Sequence, residues 1–170
     1  WENIDGFGLE WTEHFVDDEF DGVYSICACD IDLDGDIDVL GAAYLADDIT
    51  WWENVDGDGN VWIEHLVDGN FNGAWSVAGT DIDNDGDVDL LGAATYADDI
   101  TWWEDTDGTS QVWAKHTIEG NFNGARCVYP ADIDLDGDTD VLGAAWQGDN
   151  ITWWEQLPFP VQLTITPTSS

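Results

Sequence analysis

The chain is built from a repeat of 51 residues. Trp51-Trp52-Glu53 returns as Trp102-Trp103-Glu104 and again as Trp153-Trp154-Glu155. Trp1-Glu2-Asn3 matches Trp52-Glu53-Asn54 and so reads as the tail of an earlier copy. Residues 52–102 laid over 103–153 agree at 29 of 51 positions. Self-similarity at this period restricts the fold to a stack or ring of like units, each burying its apolar face on its neighbour.

Each copy is punctuated like four short strands. Ile49-Thr50-Trp51-Trp52-Glu53 is β-branched and aromatic, and Asp56-Gly57-Asp58-Gly59 predicts a hairpin turn in which glycine supplies positive φ. Val61–Val67 is a second strand and Gly69–Gly73 a connection. Ala74–Gly79 is a small-residue strand, and Val88–Ala94 follows an acidic loop. No window has helical periodicity with caps. Four strands per copy predict an all-β chain of propeller-type blades.

Composition narrows the partners. The chain has 38 acidic and 2 basic residues, a formal net charge of -36, which disfavours nucleic acid and anionic membrane surfaces. With 44% hydrophobic residues and 12 Trp it can still build a core. No apolar run is long enough for a membrane-spanning helix, so no membrane insertion is expected. The sequence opens on Trp1 without a basic segment, as a processed or excerpted chain would. Cys27, Cys29 and Cys127 form no recognisable disulfide framework; a single bond to Cys127 is the alternative.

The chemistry concentrates in one loop per copy. The first holds Asp30, Asp32, Asp34, Asp36 and Asp38. The second holds Asp81, Asp83, Asp85, Asp87 and Asp89, and the third Asp132, Asp134, Asp136, Asp138 and Asp140. Five carboxylates in nine residues repel unless a cation gathers them. A hard ion with six to eight oxygen ligands does so, and calcium suits a dense carboxylate set better than magnesium. Transition metals would want His or Cys, which the loops lack. Side chains at loop positions 1, 3 and 5 converge, glycine at 6 turns the chain, position 7 offers its carbonyl, and position 9 closes the shell. The loop is not an EF-hand, because position 12 is Gly41, Gly92 or Gly143 rather than Glu.

These loops, with Gly22-Val23, Gly73-Ala74 and Gly124-Ala125 before the preceding strand and Gly41-Ala42-Ala43, Gly92-Ala93-Ala94 and Gly143-Ala144-Ala145 in the next, resemble the FG-GAP/VCBS repeats of integrin-α-like propellers. The resemblance covers about residues 1–155. It implies a calcium-binding β-propeller with the ion between the innermost strand and the next, about three sites in all. Alanine stands where the family has proline.

In that order the inner strands are 24–29, 75–80 and 126–131, and the second strands 38–44, 89–95 and 140–146. The third strands are 49–53, 100–104 and 151–155, and the outer strands 61–67 and 112–118. Residues 1–156 then hold an outer strand within 1–16 and blades at about 22–67, 73–118 and 124–156. Residues 157–170 are a proline-containing tail, a linker or a donated strand. Closed propellers have about four to eight blades. Three blades with an unattached outer strand therefore predict strand addition between copies, Leu9–Val16 on one to the Ile151–Trp154 edge of the next. A rotation that closes gives a ring, and one that does not gives a fibre; the third alternative is that the chain is part of a longer propeller protein.

The remaining recurrences read as structural. Trp51, Trp52 and their copies are expected between blades, while Trp11, Trp62 and Trp113 on outer strands could offer a glycan platform. His14, His65 and His116 follow Glu13, Glu64 and Lys115 and read as rim side chains. Asp47-Asp48, Asp98-Asp99 and Asp149-Asn150 read as solvated turns, and Asn150-Ile151-Thr152 is the one glycosylation sequon. No nucleophile elbow, phosphate loop or zinc motif is present. The expected protein is not an enzyme. It is an extracellular or cell-surface structural or adhesive module that self-assembles, with a lectin-like module as the alternative.

Overall fold

A computed structural model describes residues 1–157; the alternating segment 161–166 lies outside the described residues. The described chain is all β. Strands β1 (Glu2–Asn3) and β2 (Trp11–Thr12) form a small hairpin. Blade 1 is β3 (Val23–Cys29), β4 (Asp38–Ala43), β5 (Asp48–Asn54) and β6 (Trp62–Asp68), antiparallel in that order. Blade 2 repeats it with β7 (Ala74–Thr80), β8 (Asp89–Ala94), β9 (Asp99–Asp105) and β10 (Trp113–Glu119). Blade 3 has β11 (Ala125–Ala131), β12 (Asp140–Ala145) and β13 (Asn150–Trp154); no fourth strand joins it among the described residues. The expected strands are recovered to within a residue or two. The difference is at the N-terminus, where the outer strand shortens to Trp11–Thr12 because only Glu2–Asn3 pairs with it.

The inner strands lie side by side. The Ser25 hydroxyl accepts the Val77 N–H and the Ser76 hydroxyl the Val128 N–H, both at 3.3 Å, so these serines join neighbouring blades. The second and third strands alternate their side chains between two interfaces. Leu40, Ala42, Ile49 and Trp51 face blade 2, where they meet Phe71, Val77, Leu90 and Trp103 in one core cluster. A second cluster joins Leu91, Ala93 and Ile100 to Phe122, Val128 and Val141. Phe71 and Phe122 come from the connections before the inner strands, where the sequence reads as a plain link. Each sets its ring edge-on against a tryptophan, 4.9 Å from Trp103 and 5.0 Å from Trp154.

The faces without a neighbour are apolar. Val23 and Ile26 are exposed on blade 1, and Ile151 and Trp153 on blade 3. The β1–β2 hairpin lies on the blade 1 side: the Trp52 indole N–H donates to Asp17 at 3.1 Å, as Trp103 donates to Asp68 at 3.3 Å one repeat later. The hairpin therefore stands where the outer edge of a preceding blade would stand.

Candidate metal centres and an aromatic face

Each acidic loop leaves an inner strand and doubles back into the second. Two residues per loop take the left-handed conformation. Gly35, Gly86 and Gly137 have φ of 103°, 103° and 100°, and Leu33, Asn84 and Leu135 have φ of 60°, 62° and 66°. A Cβ on any of these three glycines would meet nothing within 4 Å, so glycine is required here by its backbone and not by space. The turn is pinned by its own carboxylates. In the first loop Asp30 accepts the Gly35 N–H at 3.1 Å, Asp32 the Asp34 N–H at 3.2 Å, and Asp34 the Asp36 N–H at 2.9 Å. The second loop repeats this with Asp81, Asp83 and Asp85, and the third with Asp132, Asp134 and Asp136.

Carboxylate oxygens converge in every loop. Asp30, Asp32 and Asp38 bring oxygens within 4.8 Å of one another, as do Asp81, Asp83 and Asp85, and Asp132, Asp134 and Asp136. One oxygen of Asp30 and one of Asp81 are buried with no hydrogen-bond partner. A buried, unpartnered carboxylate oxygen is costly. A cation would satisfy it, and an all-oxygen donor set fits a hard one.

The sets differ between loops: position 9 (Asp38) belongs to the first only and position 5 (Asp85, Asp136) to the second and third, so Asp34, Asp89 and Asp140 stand outside them. Asp38, Asp89 and Asp140 are buried. Each ties its loop to the following strands, accepting the N–H of Ile31, Ile82 or Ile133 at one oxygen and that of Asn54, Asp105 or Gln156 at the other, all at 2.9–3.0 Å. Burial pushes the Asp89 carboxyl up to about 6, against the pull of its two N–H donors. Burial also raises Asp38, Asp32 and Asp83. At position 7 the side chains are absent from the converging sets. Asp36 packs against Gly57 and Asp87 against Gly108, each in the turn of its own outer hairpin, while Asp138 accepts from the Asn84 amide at 3.3 Å.

Other candidates settle into structural roles. His14, His65 and His116 do not use the adjacent acid. They reach across the hairpin to Glu2 (3.1 Å), Glu53 (2.9 Å) and Glu104 (2.7 Å). His65 and His116 also stack on Trp51 and Trp102, with ring centroids 4.3 and 4.6 Å apart. Asp47 and Asp98 are not solvated turns. Each, at positive φ, accepts the N–H of Gly73 or Gly124 at 2.7 Å and clasps one blade to the link into the next. Trp51 is buried between blades 1 and 2, Trp52 is buried under the N-terminal segment against Phe20 and Asp17, and Trp62 and Trp113 are half-buried and offer no open platform. Asn150 is exposed at the start of β13, and the three thiols are free.

The open aromatic surface lies elsewhere. Tyr24, Tyr44, Trp75, Tyr96 and Trp146 gather at the inner-strand starts and second-strand ends, their hydroxyls joined in the pair Tyr44–Tyr96. Arg126 lies between the Trp75 and Trp146 rings, 4.2 and 4.1 Å from their centroids. The signal for this site was present as divergence: positions 24, 75 and 126 are Tyr, Trp and Arg in otherwise matching copies.

Residues 81–143 match the FG-GAP-like repeat. The matched span runs from the second acidic loop into β12 and so includes one full loop-to-loop period. No curated protein matches the chain.

Proposed function

We infer that this FG-GAP-like repeat protein is a calcium-stabilised, propeller-type module with a structural or adhesive role outside the cell, assembling head to tail with copies of itself. The observation that carries the calcium reading is the buried, unpartnered oxygen of Asp30 and of Asp81 within a converging carboxylate set. The ligands assigned are the carboxylates at loop positions 1, 3 and 5, the carbonyl at 7 and the carboxylate at 9. The ion neutralises charges that would otherwise oppose folding of a chain at -36. FG-GAP-like repeats are binding and structural units, and the role assigned here is of that kind rather than catalytic.

The test is thermal unfolding with calcium and with chelator. At ~100 times its dissociation constant each site adds roughly 2.7 kcal/mol. Three independent sites then add roughly 8 kcal/mol, comparable with the whole stability of a domain. The expected result is a fall in Tm of tens of degrees on chelation. An unchanged melt overturns the reading.

Head-to-tail assembly draws on the unmatched ends of the structure: an outer hairpin resting on blade 1, and a three-stranded blade 3 whose outer edge and face are open among the described residues. Strand addition would place Leu9–Val16 along Ile151–Trp154.

A second reading, a carbohydrate-binding module, is favoured by the aromatic face around Arg126. Exposed rings stack on sugars, and no carboxylate pairs with the Arg126 guanidinium among the described residues. Titration with neutral saccharides, followed by tryptophan fluorescence, tests it. A response abolished by Trp146→Ala supports it, and no response to any saccharide removes it.

A further inference from the structure

A crevice of about 240 Å³ opens between blades 2 and 3, lined by Ile82, Trp102, Ile118, Thr139, Val141 and Trp154. One repeat earlier the same positions are Ile31, Trp51, Val67, Val88, Leu90 and Trp103. There the space is closed: Ile31, Trp51, Leu90 and Trp103 are buried in one cluster. The outer hairpin of the following blade does the closing. Trp113 packs on the cluster, and the Ser110 hydroxyl donates to the Ile31 carbonyl at 2.9 Å. Among the described residues blade 3 has no outer hairpin.

The chain carries a spare part of the right shape. Trp11 is the counterpart of Trp62 and Trp113, and its side chain is 51% exposed. Its indole N–H donates to the Gly8 carbonyl at 3.1 Å, as Trp62 donates to Gly59 at 3.1 Å, so the ring is already set in the conformation used within a blade. It cannot serve its own crevice, because its hairpin is held on blade 1 through Asp17. We propose that the crevice between blades 2 and 3 is the docking site for Trp11 of a second copy of this chain. The proposal rests on the head-to-tail reading above and gives it a residue and a register. The β5–β6 pairing, carried over, sets His14 opposite Trp153, Phe15 opposite Thr152 and Glu13 opposite Trp154 of the partner copy.

That register creates a competition. Trp1-Glu2-Asn3 and Trp154-Glu155-Gln156 are copies of one slot, so docking requires β1 to leave β2. The ladder to be opened is two residues long, Glu2–Thr12 and Asn3–Trp11. Removing residues 1–3 should therefore tighten association.

The test is sedimentation of the whole chain in millimolar calcium, with two variants. Trp11→Ala removes the donor and leaves the crevice. Ile118→Trp fills the crevice and leaves the donor. The expected result is that the parent chain associates, that either variant alone is weakened at least about 30-fold, the scale of an interface hot spot, and that the two mixed form a one-to-one pair and nothing larger. Deleting residues 1–3 should lower the dissociation constant. A parent chain that associates while Trp11→Ala associates equally well overturns the docking site and leaves self-assembly standing. A parent chain that stays single overturns both. Circular dichroism in the aromatic region confirms that the variants are folded, and Trp11→Phe should restore part of the association.

Discussion

The same tryptophan stands in three different environments. Trp51 is fully buried, Trp102 is partly covered, and Trp153 is 42% exposed. The isoleucines two residues before them run 0% for Ile49, 0% for Ile100 and 86% for Ile151. Local sequence is nearly the same in each case, Ile-Thr-Trp-Trp-Glu. What differs is whether a following blade lies over that face. In a repeat array the strand is specified within the copy, but burial is specified by the neighbour, so stability is partitioned between intrinsic and interface contributions.

Substitution at the three tryptophans is the strongest way to break this comparison. Trp51→Ala empties a closed interface and should cost about 3–5 kcal/mol in chemical denaturation. Trp102→Ala, beside the open crevice, should cost less. Trp153→Ala on a single chain should stay within about 0.5 kcal/mol. If Trp153→Ala proves as costly as Trp51→Ala in the unassociated chain, blade 3 is covered by something other than a second copy.

A glycine supplies the contrasting control. A Cβ at Gly92 would approach the Trp103 ring to 2.8 Å and Phe71 to 2.9 Å, and one at Gly143 would approach Trp154 to 2.7 Å and Phe122 to 3.0 Å. These contacts are made within a blade and its own entry link. Gly92→Ala and Gly143→Ala should therefore destabilise alike, by about 1–3 kcal/mol. A large difference between them would mean that the inner part of blade 3 is not packed like that of blade 2.

The acidic loops follow the neighbour as well. Ile31 is buried in the first loop and Ile133 is exposed in the third, and the orphaned oxygens belong to Asp30 and Asp81 but not to Asp132. The third site is the most solvated, so calcium should bind there about tenfold more weakly than at the first, a difference of ~1.4 kcal/mol. Calorimetric titration of Asp32→Asn and Asp134→Asn variants separates the two. Assembly that covers blade 3 should narrow the gap, since binding and association are linked.

Much of this was legible in the sequence. Period, strand order and the positions of the acidic residues are local properties, and they survive into the structure nearly unchanged. Four features were not legible, for a common reason: each depends on a partner distant in the chain. Asp47 and Asp98 look like turn residues until the Gly73 and Gly124 N–H groups, 26 residues on, arrive beneath them. Phe71 sits in a link whose glycines and asparagines suggest solvent, yet it meets Trp103. The aromatic face needs three blades before Tyr24, Trp75 and Trp146 share a surface with Arg126. Position 9 of the loop was legible as a carboxylate, but its bond to the backbone N–H 16 residues on was not.

The smallest expected effect tests the same partition at its outer rim. His65 donates a hydrogen bond to the Glu53 carboxylate and lies flat on Trp51, and both partners come from its own blade. His14 has Glu2 at 3.1 Å, and among the described residues no aromatic ring stacks on it as Trp51 does on His65. His65→Ala should cost about 0.5–1.5 kcal/mol, the range of one aromatic stack, and His14→Ala close to zero in the single chain. On assembly Trp153 of a partner copy would come to lie opposite His14 in the register carried over from β5–β6. His14→Ala should then weaken association slightly while leaving the melting of the single chain unchanged. The reverse pattern, a lower melt with association intact, would mean that His14 completes its own hairpin and no other.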